Sequence, residues 1–164
     1  MPANTPRGFP YPLPTEPVAE GAAAMRALAE KLDAYFLPQV WIPLPFSGTW
    51  HNAGGGKTIA AYYKDPFGIV HLKGAAAGGA NASLIGIVPV GYRPADEQRF
   101  AIAGAWDGSA ERSGYITVDL GGGVYAHAIG SGPNLAEIWL AGEWKPAELA
   151  RRDDDAEAKP AEDE

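Results

Sequence analysis

Two tryptophans that stand beside polar residues are the clearest candidates for a binding site in this sequence. Asn52 lies two residues after Trp50, and Asp107 follows Trp106 directly. An indole ring can stack on the face of a sugar while a nearby amide or carboxylate hydrogen-bonds to the sugar hydroxyl groups. Trp50, Asn52, Trp106 and Asp107 are therefore the candidate glycan-binding residues.

The other tryptophans favour packing over binding. Trp41 and Trp139 fall within predicted strands, where an indole ring is most simply part of the core. For any single tryptophan, packing is the stronger interpretation. Five tryptophans are nevertheless more than a small core needs, so we expect at least one exposed ring.

Residue types that perform catalysis are present, but their spacing matches no catalytic or metal-binding motif. His51, His71 and His127 are far apart and form no H-x-x-x-H pair, so we expect no metal site. No serine lies in a G-x-S-x-G elbow. Most carboxylates lie in or beside predicted turns, where they cap the backbone. A depolymerising enzyme would need a carboxylate pair in a groove, which no pattern here predicts. We expect no catalytic residues, no cofactor and no enzymatic activity.

The glycine run at residues 54–57 (GGGK) is interpreted as a turn. A phosphate-binding loop requires G-x-x-x-x-G-K-[ST], and His51 occupies the position of the first glycine. The strand and helix that should flank such a loop are also missing. The segment therefore predicts a hairpin turn rather than a nucleotide site.

Composition and charge exclude several classes of protein. The chain has 164 residues, a formal net charge of −7 and a pI of about 4.9, which argues against binding to nucleic acid. Cysteine is absent, which excludes disulfide frameworks and cysteine-ligated metals. No apolar run approaches the length of a membrane span, and the N-terminus lacks a signal-peptide pattern. We expect a chain that does not insert into membranes.

The segment 39–144 predicts a β domain. The chain contains 21 glycines and 15 prolines, and about eight short apolar runs recur at roughly ten-residue spacing. Residues 65–68 (DPFG) predict a β-turn between two strands, and residues 74–83 predict a loop of small residues. The fold class is therefore mainly β, a jelly-roll-like antiparallel sandwich preceded by one short helix.

Residues 15–38 predict a helix that assembles copies of the chain. Apolar residues recur seven apart in two series, as at the a and d positions of a coiled coil. This predicted trimer seam consists of Val18, Met25, Leu28, Leu32 and Tyr35. The alternative, an amphipathic helix that packs on its own sheet, stays open.

The two ends of the chain differ from its centre. Residues 1–14 are rich in proline and predict an extended arm, either a loose leader or a strap that lies across a neighbouring chain. Residues 145–164 carry four basic and eight acidic side chains and predict a flexible acidic tail.

Three segments resemble structural proteins of siphophages that infect Actinobacteria. Residues 9–33 (FPYPLPTEPVAEGAAAMRALAEKLD) resemble the proline-rich stretch and short alanine-rich helix of tail-associated proteins. Residues 62–74 (YYKDPFGIVHLKG) are similar to the Y-x-K-D-x-x-G-x-V-x-L-x-G hairpin of fibre and receptor-binding head domains. Residues 84–94 (LIGIVPVGYRP) resemble their I-x-x-L-P-x-G-Y-R-P segment, with Val88 where leucine is usual. The resemblance covers about residues 9–144.

The resemblance implies a homotrimeric virion protein in the tail or a surface fibre. The helix would gather three chains, and the β head would contact host surface glycans as part of a tail fibre, receptor-binding protein or baseplate. The N-terminal arm would dock onto other virion proteins. The alternative is a purely structural tail protein or capsid fibre or decoration protein whose contacts are only with other virion proteins. The family's binding residues cannot be carried over position by position.

Overall fold

The protein folds as two compact units, Met1–Pro38 and Gln39–Glu164. Its structure is a computed structural model that describes residues 3–5, 8–11, 18–36, 40–128 and 134–148. The acidic tail beyond residue 148 and the end of the proline-rich arm therefore lie outside the described residues. In the described part of the chain, no helix is both long enough and apolar enough to cross a membrane.

Within the first unit, the residues that the structure describes form a small hairpin and one helix. Strand β1 (Ala3–Asn4) pairs antiparallel with β2 (Pro10–Tyr11), and α1 spans Val18–Tyr35. The backbone N–H of Phe9 donates to Thr5 Oγ1 at 3.0 Å and closes the turn between the two strands. The Phe9 ring meets Tyr35 edge-on, with centroids 5.6 Å apart. The arm is thus extended, as its prolines require, but folded back on itself.

This packing divides the predicted trimer seam. Tyr35 contacts Phe9 and is half-buried, as is Leu28, whereas Met25 is 71% exposed and Leu32 is also exposed. The side chain of Val18 lies outside the described set. The exposed apolar stripe shares Met25 and Leu32 with the predicted seam but not Leu28 or Tyr35. It follows the 3–4 spacing of a coiled-coil seam and consists of Ala22, Met25, Ala29 and Leu32 on α1 and of Phe36 just beyond its end.

The described residues of the second unit, 40–128 and 134–148, form nine strands. In chain order they are β3 (Ile42–Pro43), β4 (His51–Asn52), β5 (Ala61–Lys64), β6 (Val70–Ala80), β7 (Leu84–Ile87), β8 (Gln98–Trp106), β9 (Glu111–Val118), β10 (Gly123–Ala128) and β11 (Asn134–Trp144). They form one antiparallel sheet in the order β3-β5-β6-β11-β8-β9-β10-β7, with β4 paired to β6.

The sheet curls into a half-barrel around one core. Residues 42–47 connect its two edges, because Ile42 pairs with Tyr62 of β5 while Phe46 bridges to Gly86 of β7. The mainly β fold class with one short helix is confirmed. The strands nevertheless pair in one continuous order and form a single sheet rather than the two separate sheets of a jelly roll. The most deeply buried large aliphatic residues are Ile85, Ile116, Leu135 and Ile138.

Residues 74–83 were expected to form a loop, and that prediction is wrong. Strand β6 continues through Ala80 and pairs with β11 along its length, from Val70–Trp144 to Ala80–Asn134. Small residues are needed here because other groups lie directly on the strand. A Cβ atom on Gly79 would lie 1.8 Å from Trp50 Cε2, and one on Gly74 would lie 2.2 Å from the carbonyl oxygen of Ile59.

The alternation of antiparallel strands gives the second unit two distinct ends. One end of the sheet holds the first residue of β3 and the last residues of four other strands, β5, β7, β9 and β11. The chain therefore enters and leaves the sheet there, and this is named the terminal end. At the opposite, distal end, β8 turns into β9 and β11 begins. The predicted 65–68 turn lies at the terminal end and is confirmed, with the N–H of Gly68 donating to the carbonyl of Asp65 at 2.9 Å.

Candidate functional site: an aromatic groove at the distal end

A groove of about 460 Å³ opens at the distal end of the sheet. It combines two exposed indole rings with three charged side chains. Its lining residues are Lys57, Gly104, Ala105, Trp106, Glu111, Glu137 and Trp139. This is the composition of a site that offers a stacking surface with polar groups at its margin.

Strand register places Trp106 between two carboxylates. Trp106, the last residue of β8, lies directly opposite Glu137 of β11 on one side and Glu111 of β9 on the other. Paired residues of antiparallel strands project from the same face, with Cβ atoms about 4.5–5.5 Å apart. Both glutamates therefore flank the indole ring, which is 41% exposed.

Trp139 provides the second ring and needs a glycine beneath it. It lies two residues after Glu137 on the same face of β11 and is 42% exposed. A Cβ atom on Gly104 of β8 would be 2.6 Å from Trp139 Cδ1. The absence of that atom lets the indole ring lie against the backbone of β8.

Lys57 reaches the groove from the glycine-rich turn. Gly54, Gly55 and Gly56 all have positive φ angles of 59–77°, and the N–H of Lys57 donates to the carbonyl of Gly54. The predicted turn is present, since glycine adopts positive φ at little cost. It is not a hairpin turn, because the strands before and after it, β4 and β5, both pair with β6. Lys57 Nζ forms an ion pair with Glu137 Oε2.

Asp107, which the sequence predicts to bind a sugar, uses both carboxylate oxygens for hydrogen bonds within and beside its own turn. Its Oδ1 accepts hydrogen bonds from the N–H and hydroxyl of Ser109 and from the N–H of Ala110, at 2.7–2.8 Å. Its Oδ2 accepts one from Arg112 Nε at 2.8 Å. The Arg112 guanidinium and then the Ser109 hydroxyl hold the pKa of Asp107 well below its usual range. The prediction is corrected: this carboxylate organises the β8–β9 turn.

Trp50 and Asn52 also have structural partners. Trp50 is only 5% exposed, packs on Gly79, and donates from its indole N–H to Ser83 Oγ at 2.9 Å. Asn52 Oδ1 accepts the backbone N–H of Ala60 at 2.8 Å. The assignment of Trp50 to an exposed sugar platform is wrong, because the edge segment that carries it folds over β6.

Of the four candidate residues, the structure therefore places only Trp106 in the groove. Trp139, which was interpreted as core, is exposed. Its outward direction could have been inferred from strand parity, because Glu137 and Trp139 alternate with buried Ile138 and Leu140. Glu111 lies only five residues after Trp106, across the β8–β9 turn. Lys57 comes from a distant turn, and no local pattern connects it to Trp106.

Metal-ligating side chains do not cluster in the described part of the chain. In residues 3–5, 8–11, 18–36, 40–128 and 134–148, no three His, Asp or Glu side chains come together in a way that could hold a metal ion. The two exposed indole rings of the groove can stack on a ring-shaped ligand, and its charged side chains can hydrogen-bond to the edges of that ligand.

Comparison with solved structures identifies a related architecture. The crystal structure of the receptor binding protein (gp15) of Listeria phage PSA superposes with a TM-score of 0.54 over 80% of this chain and 82% of that chain, at 18% sequence identity. The fold resembles that of a phage receptor-binding protein. No protein-family model matches the chain, and no curated protein sequence matches it. At this level of identity the likeness concerns the fold.

Proposed function

We propose that this chain is a virion protein of a phage tail whose second unit binds a saccharide on the host surface through the Trp106–Trp139 groove. The observation that carries the proposal is a pair of exposed indole rings flanked by carboxylates, on a fold that resembles a phage receptor-binding protein. Exposed aromatic rings of this kind supply stacking area, and the flanking polar groups supply direction.

The position of the groove supports the same function. The chain enters and leaves the second unit at the terminal end, and the groove lies at the distal end. A protein attached to a particle through its N-terminal arm would leave such a groove accessible to a cell surface.

Three copies of the groove would compensate for weak binding at each. The stripe Met25, Leu32 and Phe36 on α1 is exposed and follows coiled-coil spacing, which supports the homotrimer proposed from the sequence. Linked sites on one surface raise the overall affinity by increasing the effective concentration of the second and third contacts.

The groove suits binding rather than catalysis. Glu111 and Glu137 lie on either side of Trp106, but Glu137 is ion-paired with Lys57, which suits a hydrogen-bond acceptor better than a proton donor. The proposal therefore includes no reaction, and a bound saccharide should be recovered intact after prolonged incubation.

A glycan array probed with the labelled full-length protein tests this function. We expect binding to a restricted set of saccharides, and a rise in Kd of about tenfold or more for Trp106→Ala and for Trp139→Ala. Phe67→Ala is the matched control, because Phe67 is an exposed aromatic residue at the terminal end. Equal binding by all four proteins, with unchanged circular dichroism, would contradict the assignment of the groove.

A purely structural role is the second candidate, and one observation favours it. Three loop residues at the terminal end, Phe67, Val90 and Leu120, are 61–72% exposed. Apolar loop tips of this kind suit contact with another virion protein. Their replacement by serine would weaken incorporation into particles without changing saccharide binding.

A further inference from the structure

The charged groups around the groove pair with one another, with one exception. Lys57 binds Glu137, and Arg112 binds Asp107 on the adjoining turn at 2.8 Å. Glu111 is exposed, and none of the described residues forms an ion pair with it. The groove therefore carries one uncompensated negative charge.

The uncompensated carboxylate stands beside an indole ring. Glu111 begins β9 and lies directly opposite Trp106, with its side chain on the same face. The π face of tryptophan carries partial negative charge and attracts cations within about 6 Å. A carboxylate and an exposed indole ring on neighbouring strands together make a favourable position for a positively charged group.

We propose that the groove selects saccharides that carry a free ammonium group, which would lie between the Glu111 carboxylate and the Trp106 ring. This inference rests on the proposed saccharide-binding function and specifies its ligand class. The same charge disfavours uronic acids and phosphodiester-linked polyols, because their anionic groups would approach Glu111 with no free cation to receive them.

Two oligosaccharides of equal length separate the effect of charge from that of shape. The full-length protein is titrated at mildly acidic pH with the β-1,4 hexamer of glucosamine, which is cationic, and with the hexamer of N-acetylglucosamine, which is neutral. We expect the glucosamine hexamer to bind about tenfold more tightly, as one ion pair and one cation–π contact allow. The preference should decrease as salt is added.

Two isosteric variants locate the selectivity. Glu111→Gln removes the charge and keeps the shape, so the preference should fall to about twofold or less while the neutral hexamer binds as before. Asp96→Asn is the matched control, since it removes the same charge from an exposed position before β8, at the terminal end. This variant should keep the full preference of the wild-type protein.

The outcomes distinguish this inference from the function on which it rests. Equal or tighter binding of the neutral hexamer, or an unchanged preference in Glu111→Gln, overturns the inference. Failure of both hexamers also overturns it, and the saccharide-binding function then stands only if the glycan array shows Trp106-dependent binding to another sugar. If the array shows no Trp106-dependent binding, the function itself fails.

Discussion

At the scale of single residues, a histidine outside the groove holds two carboxylates together. His71 Nε2 lies 2.9 Å from Asp65 Oδ2, and its Nδ1 lies 2.9 Å from Glu143 Oε1. The Tyr63 ring stacks on the imidazole at 4.7 Å. These contacts connect the 65–68 turn to β6 and β11.

This cluster predicts a loss of stability in acid. Burial raises the pKa of Asp65, but the hydrogen bonds from His71 and from the backbone N–H of Ile69 outweigh it, so the pKa is lowered overall. The unfolded chain then takes up a proton more readily than the folded one. The contribution of Asp65 to the free energy of unfolding is present above about pH 4. It is lost as the pH falls through the pKa of Asp65 in the folded chain.

Urea unfolding of wild-type protein and Asp65→Asn measures this contribution. At pH 7 the variant should be less stable by about 1 kcal/mol, because hydrogen bonds to a charged group are lost from a partly exposed site. Between about pH 5 and pH 3, the free energy of unfolding of the variant should fall less steeply than that of the wild type. Asp96→Asn should decline as the wild type does. Parallel decline in all three proteins would show that Asp65 does not contribute.

At the scale of elements, the packing on strand β6 requires glycine at positions where other groups lie against its backbone. Gly79→Ala would place a methyl group inside the Trp50 ring, and we expect it to lower the free energy of unfolding by about 1–3 kcal/mol. All five tryptophans lie in the second unit, so their fluorescence reports its unfolding. Gly21→Ala on α1, where no atom lies within 4 Å, should leave that transition unchanged. Equal midpoints for wild type and Gly79→Ala would contradict the packing argument.

A second glycine predicts an effect on binding rather than on stability. Gly104→Ala would push the Trp139 ring away from β8, since the new Cβ would lie 2.6 Å from Trp139 Cδ1. The ring is partly exposed and can move, so stability should change by less than about 1 kcal/mol. Saccharide affinity should fall by a factor similar to that for Trp139→Ala. Unchanged affinity would mean that the position of Trp139 over β8 does not matter for binding.

At the scale of the whole molecule, the two units predict a division between assembly and binding. Light scattering should give the full-length chain a mass near three times 17.2 kDa, whereas a chain lacking residues 1–36 should be monomeric and still folded. Leu32→Glu should also give monomers, because it places a charge in the exposed stripe of α1. Ala34→Glu, on the opposite side of the helix, is the control. The same number of chains per assembly in the full-length and truncated proteins would exclude α1 as the assembly element.

Local chemistry made part of the fold predictable. The 65–68 turn and the glycine turn at 54–57 follow from the conformations that proline and glycine allow, and the existence of α1 follows from helix-forming residues and their spacing. The mainly β character follows from regularly spaced short apolar runs. Each of these properties depends on residues that are close together along the chain.

The groove and the closure of the sheet were decided by tertiary structure. Trp106 is predicted from its position beside a turn, and Glu111 lies across that same turn. Glu137 and Lys57, in contrast, come from two distant segments that reach Trp106 only in the folded chain. Trp50, which was expected to be exposed, is buried, and Trp139, which was expected in the core, is exposed. Trp50 is buried because the edge segment that carries it packs on Gly79. Trp139 lies over Gly104, and its outer face is exposed to solvent. The sequence by itself determined the turns, the helix and the β character, whereas long-range strand register determined which side chains meet at the groove.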